Sequence, residues 1–135
     1  MISWRAFRPR VLLAAMLVVA CSGDSTAPVA GTLKVSLTTP NSGLDGAAII
    51  VISGPAVPTS VSAAAGLTLW GAPLTTPTGK VILTGTLATG PVLTLQVEDI
   101  NKVSQYHATL QQVADSTPPY ELRTPLTGYS LTITK

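Results

Sequence analysis

One cysteine and one histidine bound the chemistry open to this 135-residue chain. Cys21 stands where an apolar run gives way to small polar residues, LLAAMLVVACSGDS from Leu12 to Ser25. His107, taken with Ser104, Asp99 or Asp115, is the one set from which a hydrolytic relay could be drawn. Such a relay needs nucleophile, base and orienting group in fixed geometry. The chain has no Gly-x-Ser-x-Gly elbow, so His107 reads as a surface residue and no catalytic residue is assigned. Glu98 and Asp99 are adjacent. On a strand they point to opposite sides, unlike the facing carboxylates of glycoside cleavage. Asn41, Ser42 and Asp45 in PNSGLDG, and Asp99 with Asn101, offer turn oxygens. A calcium loop needs more of them in register, so these read as structural turns. A single cysteine and a single histidine exclude cysteine-built and histidine-rich metal sites; no metal and no cofactor is expected.

Aromatic rings offer a second chemistry, stacking on sugars. After residue 21 they are Trp70, Tyr106, Tyr120 and Tyr129. The first expectation is that Trp70 and Tyr106 fill a core and Tyr129 packs at the last strand. The alternative presents Trp70 and Tyr120, both beside proline-containing loops, as a carbohydrate-binding pair.

Cys21 has a more specific context. Arg5, Arg8 and Arg10 form a basic start, and Val11 to Ala20 is an unbroken apolar run. Ten apolar residues fall short of the roughly twenty that span a bilayer, and a short run behind a basic start is the pattern of an export signal. The run ends Val18-Val19-Ala20-Cys21, which resembles the lipobox of bacterial lipoprotein precursors. That resemblance implies attachment of diacylglycerol to the Cys21 thiol, cleavage before Cys21, and further acylation, by palmitate for example, on the new amine. Two or more acyl chains anchor stably where one does not. It also implies a partner, the lipid bilayer. Ser22 rather than aspartate follows the cysteine, which favours the outer membrane or cell surface.

Removing residues 1–20 changes the electrostatics. The whole chain carries net +2. Without the leader, Lys34, Lys80, Lys102, Arg123 and Lys135 oppose Asp24, Asp45, Glu98, Asp99, Asp115 and Glu121, five positive against six negative, about −1. A nucleic-acid binder needs a basic patch, and none survives. Charged residues make up 10% of the chain, against about 25% in typical domains. Threonine, serine, glycine and proline replace them, a composition suited to strands with an uncharged polar surface.

The elements that position these residues read as strands. Residues 21–31 form a flexible tether, about 16–19 Å as a random coil. Residues 32–135 form one domain, long enough for a single core. Leu33, Val35 and Leu37 alternate with Lys34, Ser36 and Thr38, the period of a half-buried strand. Ala47 to Ser53 is apolar on both faces, as a central strand would be. Val57 to Ala65 contains Pro58 and suits an edge. Gly66 to Trp70 is a short strand. Lys80 to Leu87 places Val81, Leu83, Gly85 and Leu87 on one face, with Gly85 marking a bulge or close packing. Val92 to Glu98 follows, and the Ala88–Pro91 turn predicts a hairpin. Asp99 to Ser104 reads as a turn and Gln105 to Ala114 as a strand with a slip near Gln111-Gln112, although the spacing also admits a helix. Tyr129 to Lys135 closes the chain.

These observations predict an all-β fold, a single antiparallel β-sandwich of seven or eight strands. The stretch LKVSLTTPNSGLDGAAIIVISGP, Leu33 to Pro55, with VLTLQVED and the terminal YSLTITK, loosely resembles the cohesin-like and immunoglobulin-like sandwiches of bacterial surface proteins. That resemblance bears on fold more than function. The reading is a membrane-anchored extracytoplasmic lipoprotein, a non-enzymatic structural or interaction module of the cell envelope, with an envelope protein or a glycan as partner. The alternative is a carbohydrate-binding sandwich using Trp70 and Tyr120.

Overall fold

The computed structural model describes residues 27–135. Cys21 and the leader lie outside the described residues. Eight strands and one short 3-10 helix form the domain: β1 (Gly31–Thr38), β2 (Asp45–Ser53), β3 (Ser60–Ala63), β4 (Thr68–Trp70), β5 (Thr78–Leu87), β6 (Gly90–Val97), the 3-10 helix (Ile100–Gln105), β7 (His107–Asp115) and β8 (Ser130–Thr134). The first sheet has strand order β3-β6-β1-β8 and the second β4-β5-β2-β7. All pairings are antiparallel. The chain forms the expected β-sandwich, and of the seven or eight strands anticipated it has eight.

Every connection crosses from one sheet to the other except β4 to β5, which pair directly. The hairpin expected at Ala88–Pro91 is therefore corrected: β5 and β6 lie in opposite sheets. The corner is tied instead to the β1–β2 turn. Gly43 N–H donates to the Leu87 carbonyl, Thr89 N–H to Ser42 Oγ and Thr39 N–H to Thr89 Oγ1. Sequential turn residues permit either outcome. Burial of Leu87 under one sheet and of Val92 under the other drives the crossing, because stacked sheets stand about 10 Å apart.

Between the sheets, Leu33, Val35 and Leu37 of β1 face Ile50 and Ile52 of β2, with Leu83, Leu93 and Leu95 alongside, all nearly fully buried. Each such side chain contributes roughly 1.5–3 kcal/mol by leaving water. Tyr106 joins this core as expected. Its ring lies so close to Gly54 that a Cβ there would collide with it. Gly85 has positive φ and packs against the Gly66 carbonyl, next to the register shift between β2 and β5. Residues 107–115 are strand, and the slip is real: Ile49 pairs with Gln112 and Ile50 with Leu110, leaving Gln111 as the extra residue of a bulge. β3, which follows Pro58, is an edge strand.

The strand directions define two ends. Thr38, Asp45, Leu87 and Asp115 lie at the upper end. Gly31, Ser53, Thr78 and His107 lie at the lower end, where the described chain begins.

Candidate functional site

Two regions stand out, a polar cluster at the upper end and the outer face of the second sheet. The cluster is built around Asp45, the first residue of β2, which is fully buried. Its carboxylate accepts from Thr39 Oγ1 at 2.8 Å, from Tyr129 Oη at 3.0 and 3.1 Å, and from Arg123 Nε at 3.0 Å. The Tyr129 hydroxyl accepts in turn from Asn41 Nδ2 at 2.9 Å. Arg123 also reaches Asp115 at 3.5 Å. The hydrogen bond from Arg123 to Asp45 holds the guanidinium pKa above its ordinary value. Asp115 is held below its ordinary value, first by the Thr117 backbone N–H.

This arrangement clasps the β1–β2 turn to the long β7–β8 loop. Both carboxylate oxygens of Asp45 are hydrogen-bonded, and no described side-chain polar atom is buried without a partner. Among the described residues no group of three His, Cys, Asp or Glu could hold a metal ion. No helix of the described residues is long and apolar enough to cross a membrane.

Of the residues drawn into a hydrolytic relay, His107 and Asp115 stand at opposite ends of β7, about 26 Å apart along an extended strand, and Ser104 and Asp99 belong to the 3-10 helix and its cap. Asp99 caps the 3-10 helix and accepts from the Asn101 and Val29 N–H groups. Asn41 Nδ2 serves Tyr129, Ser42 Oγ accepts from the Thr89 N–H and Asp45 serves the clasp, so PNSGLDG is a turn whose side chains tie neighbouring loops together.

The outer face of the second sheet is the opposite kind of surface. Across it, Trp70, Ile82, Ile49 and Gln112 are register partners in one row, and Thr84, Ala47 and Ala114 in the next. Leu122 extends the second row by bridging to Ala114. A shallow groove of about 200 Å³ lies here, lined almost wholly by Ile49, Ile82, Ala47, Ala114 and Leu122 with Gln112. Trp70 is 56% exposed, Ile82 41% and Leu122 53%. The expectation that Trp70 fills the core is corrected. A three-residue edge strand has no layer over its outer side, so the ring stands on the surface with Nε1 donating to Thr84 Oγ1 at 3.2 Å. Tyr120 is 60% exposed, in the loop beyond β7 at the other edge of the same sheet. Three strand spacings, about 14 Å, separate the two edges, so the rings form no common platform.

The first sheet shows what an ordinary solvated face looks like in this chain. Its outer positions are Thr32, Lys34, Ser36 and Thr38 on β1, Ser60 and Ser62 on β3, Thr94 and Gln96 on β6, and Ser130, Thr132 and Thr134 on β8. The apolar face was foreshadowed by AAIIVIS: a strand apolar on both sides is the pattern of one covered on both sides, yet the described residues cover only one side of β2. Ile82 and Leu122 carried no such signal. No family model, curated protein or solved structure matches the chain.

Proposed function

We propose that this chain is a membrane-anchored extracytoplasmic lipoprotein whose β-sandwich is a non-enzymatic interaction module of the cell envelope. The observation that carries the module reading is the contrast just described: the polar groups at the upper end are saturated, while an apolar sheet face is left bare. Contiguous exposed apolar surface of this kind marks interaction sites. The leader and the Val18-Val19-Ala20-Cys21 motif support the anchored location. The test is Cys21→Ser expressed with its leader. Wild-type chain extracted from envelopes should carry the mass of a diacylglycerol and lack residues 1–20, whereas the variant should remain an unacylated precursor. Normal maturation and membrane retention of the variant would refute the anchor.

A carbohydrate-binding reading is favoured by one observation, the exposure of Trp70 and Tyr120. A single ring would then carry the stacking, because the two stand on opposite edges. A glycan array with a Trp70→Ala control decides it; absence of Trp70-dependent binding ends that reading.

A further inference from the structure

We infer that the outer face of the second sheet is a homodimer interface, on which two membrane-anchored copies of this chain pack side by side. Of the six exposed large hydrophobic residues among the described residues, three lie in the rows of this face, Trp70, Ile82 and Leu122, and none lies on the outer face of the first sheet's strands. Lys80, near the lower end of β5, is the one charged side chain on the face. A solvated face made of threonine, serine and lysine was within reach of this sequence, since the first sheet has one.

The occupant follows from the arrangement of the face itself. An isologous interface requires that residue i meet j while j meets i. A two-fold axis parallel to the strands and midway between β2 and β5 exchanges those two strands, and exchanges β4 with β7. Because paired residues share a row, each residue then falls on its own sheet partner in the other copy. Ile82 falls on Ile49, and Trp70 on Gln112 beside Leu122. Lys80 falls on Val51, not on the second Lys80. No like charges meet, and Lys80, at the lower end of β5 where β4 does not flank it, keeps its ammonium in water with only its stem against Val51, which a lysine at the central Ile82 position could not do. The same axis leaves both chain entries, at Gly31, at the same end of the dimer. Only five residues, 22–26, separate Cys21 from the described chain. Two short tethers leaving one end reach one bilayer; an axis across the strands would send the second tether to the far end.

The size of the face sets the strength. β5, β2 and β7, about 4.8 Å apart, give roughly 10 by 25 Å, and the three residues of β4 widen this to about 300 Å² per copy in projection. A standard stable interface buries about 800 Å² per partner. Contact is therefore weak in dilute solution and gains from confinement to a membrane, which raises effective concentration. In this respect the inference rests on the anchored reading.

The test is cross-linking of the full chain in the envelope with a short bis-maleimide, using Lys80→Cys and, on the outer face of the first sheet, Thr132→Cys. The wild-type chain is the control for Cys21, and the mass of each purified chain reports acylation. Lys80→Cys should yield dimers about tenfold above Thr132→Cys. Adding Ile82→Lys, an unpaired charge in an apolar contact, should return them to that level, with unchanged circular dichroism. Equal cross-linking from both sheets, or a conjugate with another protein at Lys80→Cys, overturns the dimer. Cross-linking that survives Ile82→Lys overturns it as well. An acylated chain that does not cross-link removes the dimer and leaves the anchor. A chain that cross-links without acylation keeps the dimer and removes the anchor.

Discussion

The Asp45 clasp and the outer face of the second sheet meet at the top of β2, and they are opposites. In the clasp every buried polar side-chain atom has found a partner within the chain. On the face, apolar groups have found none. A buried carboxylate left unpaired costs several kcal/mol, so the folded state depends on a completed clasp. A bare apolar face costs little in an isolated chain, because the same surface is exposed in the unfolded state. The clasp therefore reports on stability and the face on association, and substitutions separate the two.

The largest effect is expected in the clasp. Asp45→Ala leaves Arg123, Tyr129 and Thr39 without their shared acceptor and should destabilise the domain by about 3–5 kcal/mol. Urea denaturation checks this. A loss under about 1 kcal/mol, within the range of an ordinary exposed position, would show that the clasp does not hold the loops.

Next comes a pair on one strand. Ile50 faces the core and Ile49, one residue earlier, faces out. Ile50→Ala should cost about 2–5 kcal/mol. Ile49→Ala should stay within about 1 kcal/mol and lower cross-linking in the envelope. Equal destabilisation in the monomer would mean that the outer face is covered by the chain itself.

Tyr129→Phe removes one hydroxyl that donates to Asp45 and accepts from Asn41. Hydrogen bonds to a charged group contribute about 1.5–3 kcal/mol, and the loss should fall in that range. The double variant with Asp45→Ala should lose less than the two single losses added, since both remove the same contact.

The same contrast explains what could be read from the sequence. Alternation and turn residues carried the sandwich, the edge placement of β3 and the slip at Gln111, because each is a local consequence of side-chain period. The crossing at Ala88–Thr89 was not legible: a Gly-Pro turn looks alike whether the chain stays in its sheet or leaves it. The clasp was invisible because two of the three partners of Asp45, Arg123 and Tyr129, lie 78 and 84 residues away, a distance no local pattern spans. Trp70 was misplaced because residue type argues for burial, while only topology reveals that a short edge strand has nothing above it. The apolar face was half legible, in AAIIVIS, but that run names no partner.

The smallest effect separates the clasp from its rim. Asp115 accepts from the Thr117 N–H and hydroxyl and faces Arg123, which together lower its pKa. A carboxylate whose pKa is lowered on folding binds fewer protons folded than unfolded. Its contribution is therefore full above the unfolded value near 3.9 and is lost as pH falls through the lower folded value. Asp115 is open to solvent, so screening keeps the contribution small. Denaturation midpoints between about pH 2 and pH 6 should fall slightly less steeply in Asp115→Asn than in the wild-type chain. The two curves should converge at the acid end, where the wild-type carboxylate is also neutral. Superimposable curves throughout would show that the Thr117 bonds order the loop without stabilising the fold, and that the clasp ends at Arg123.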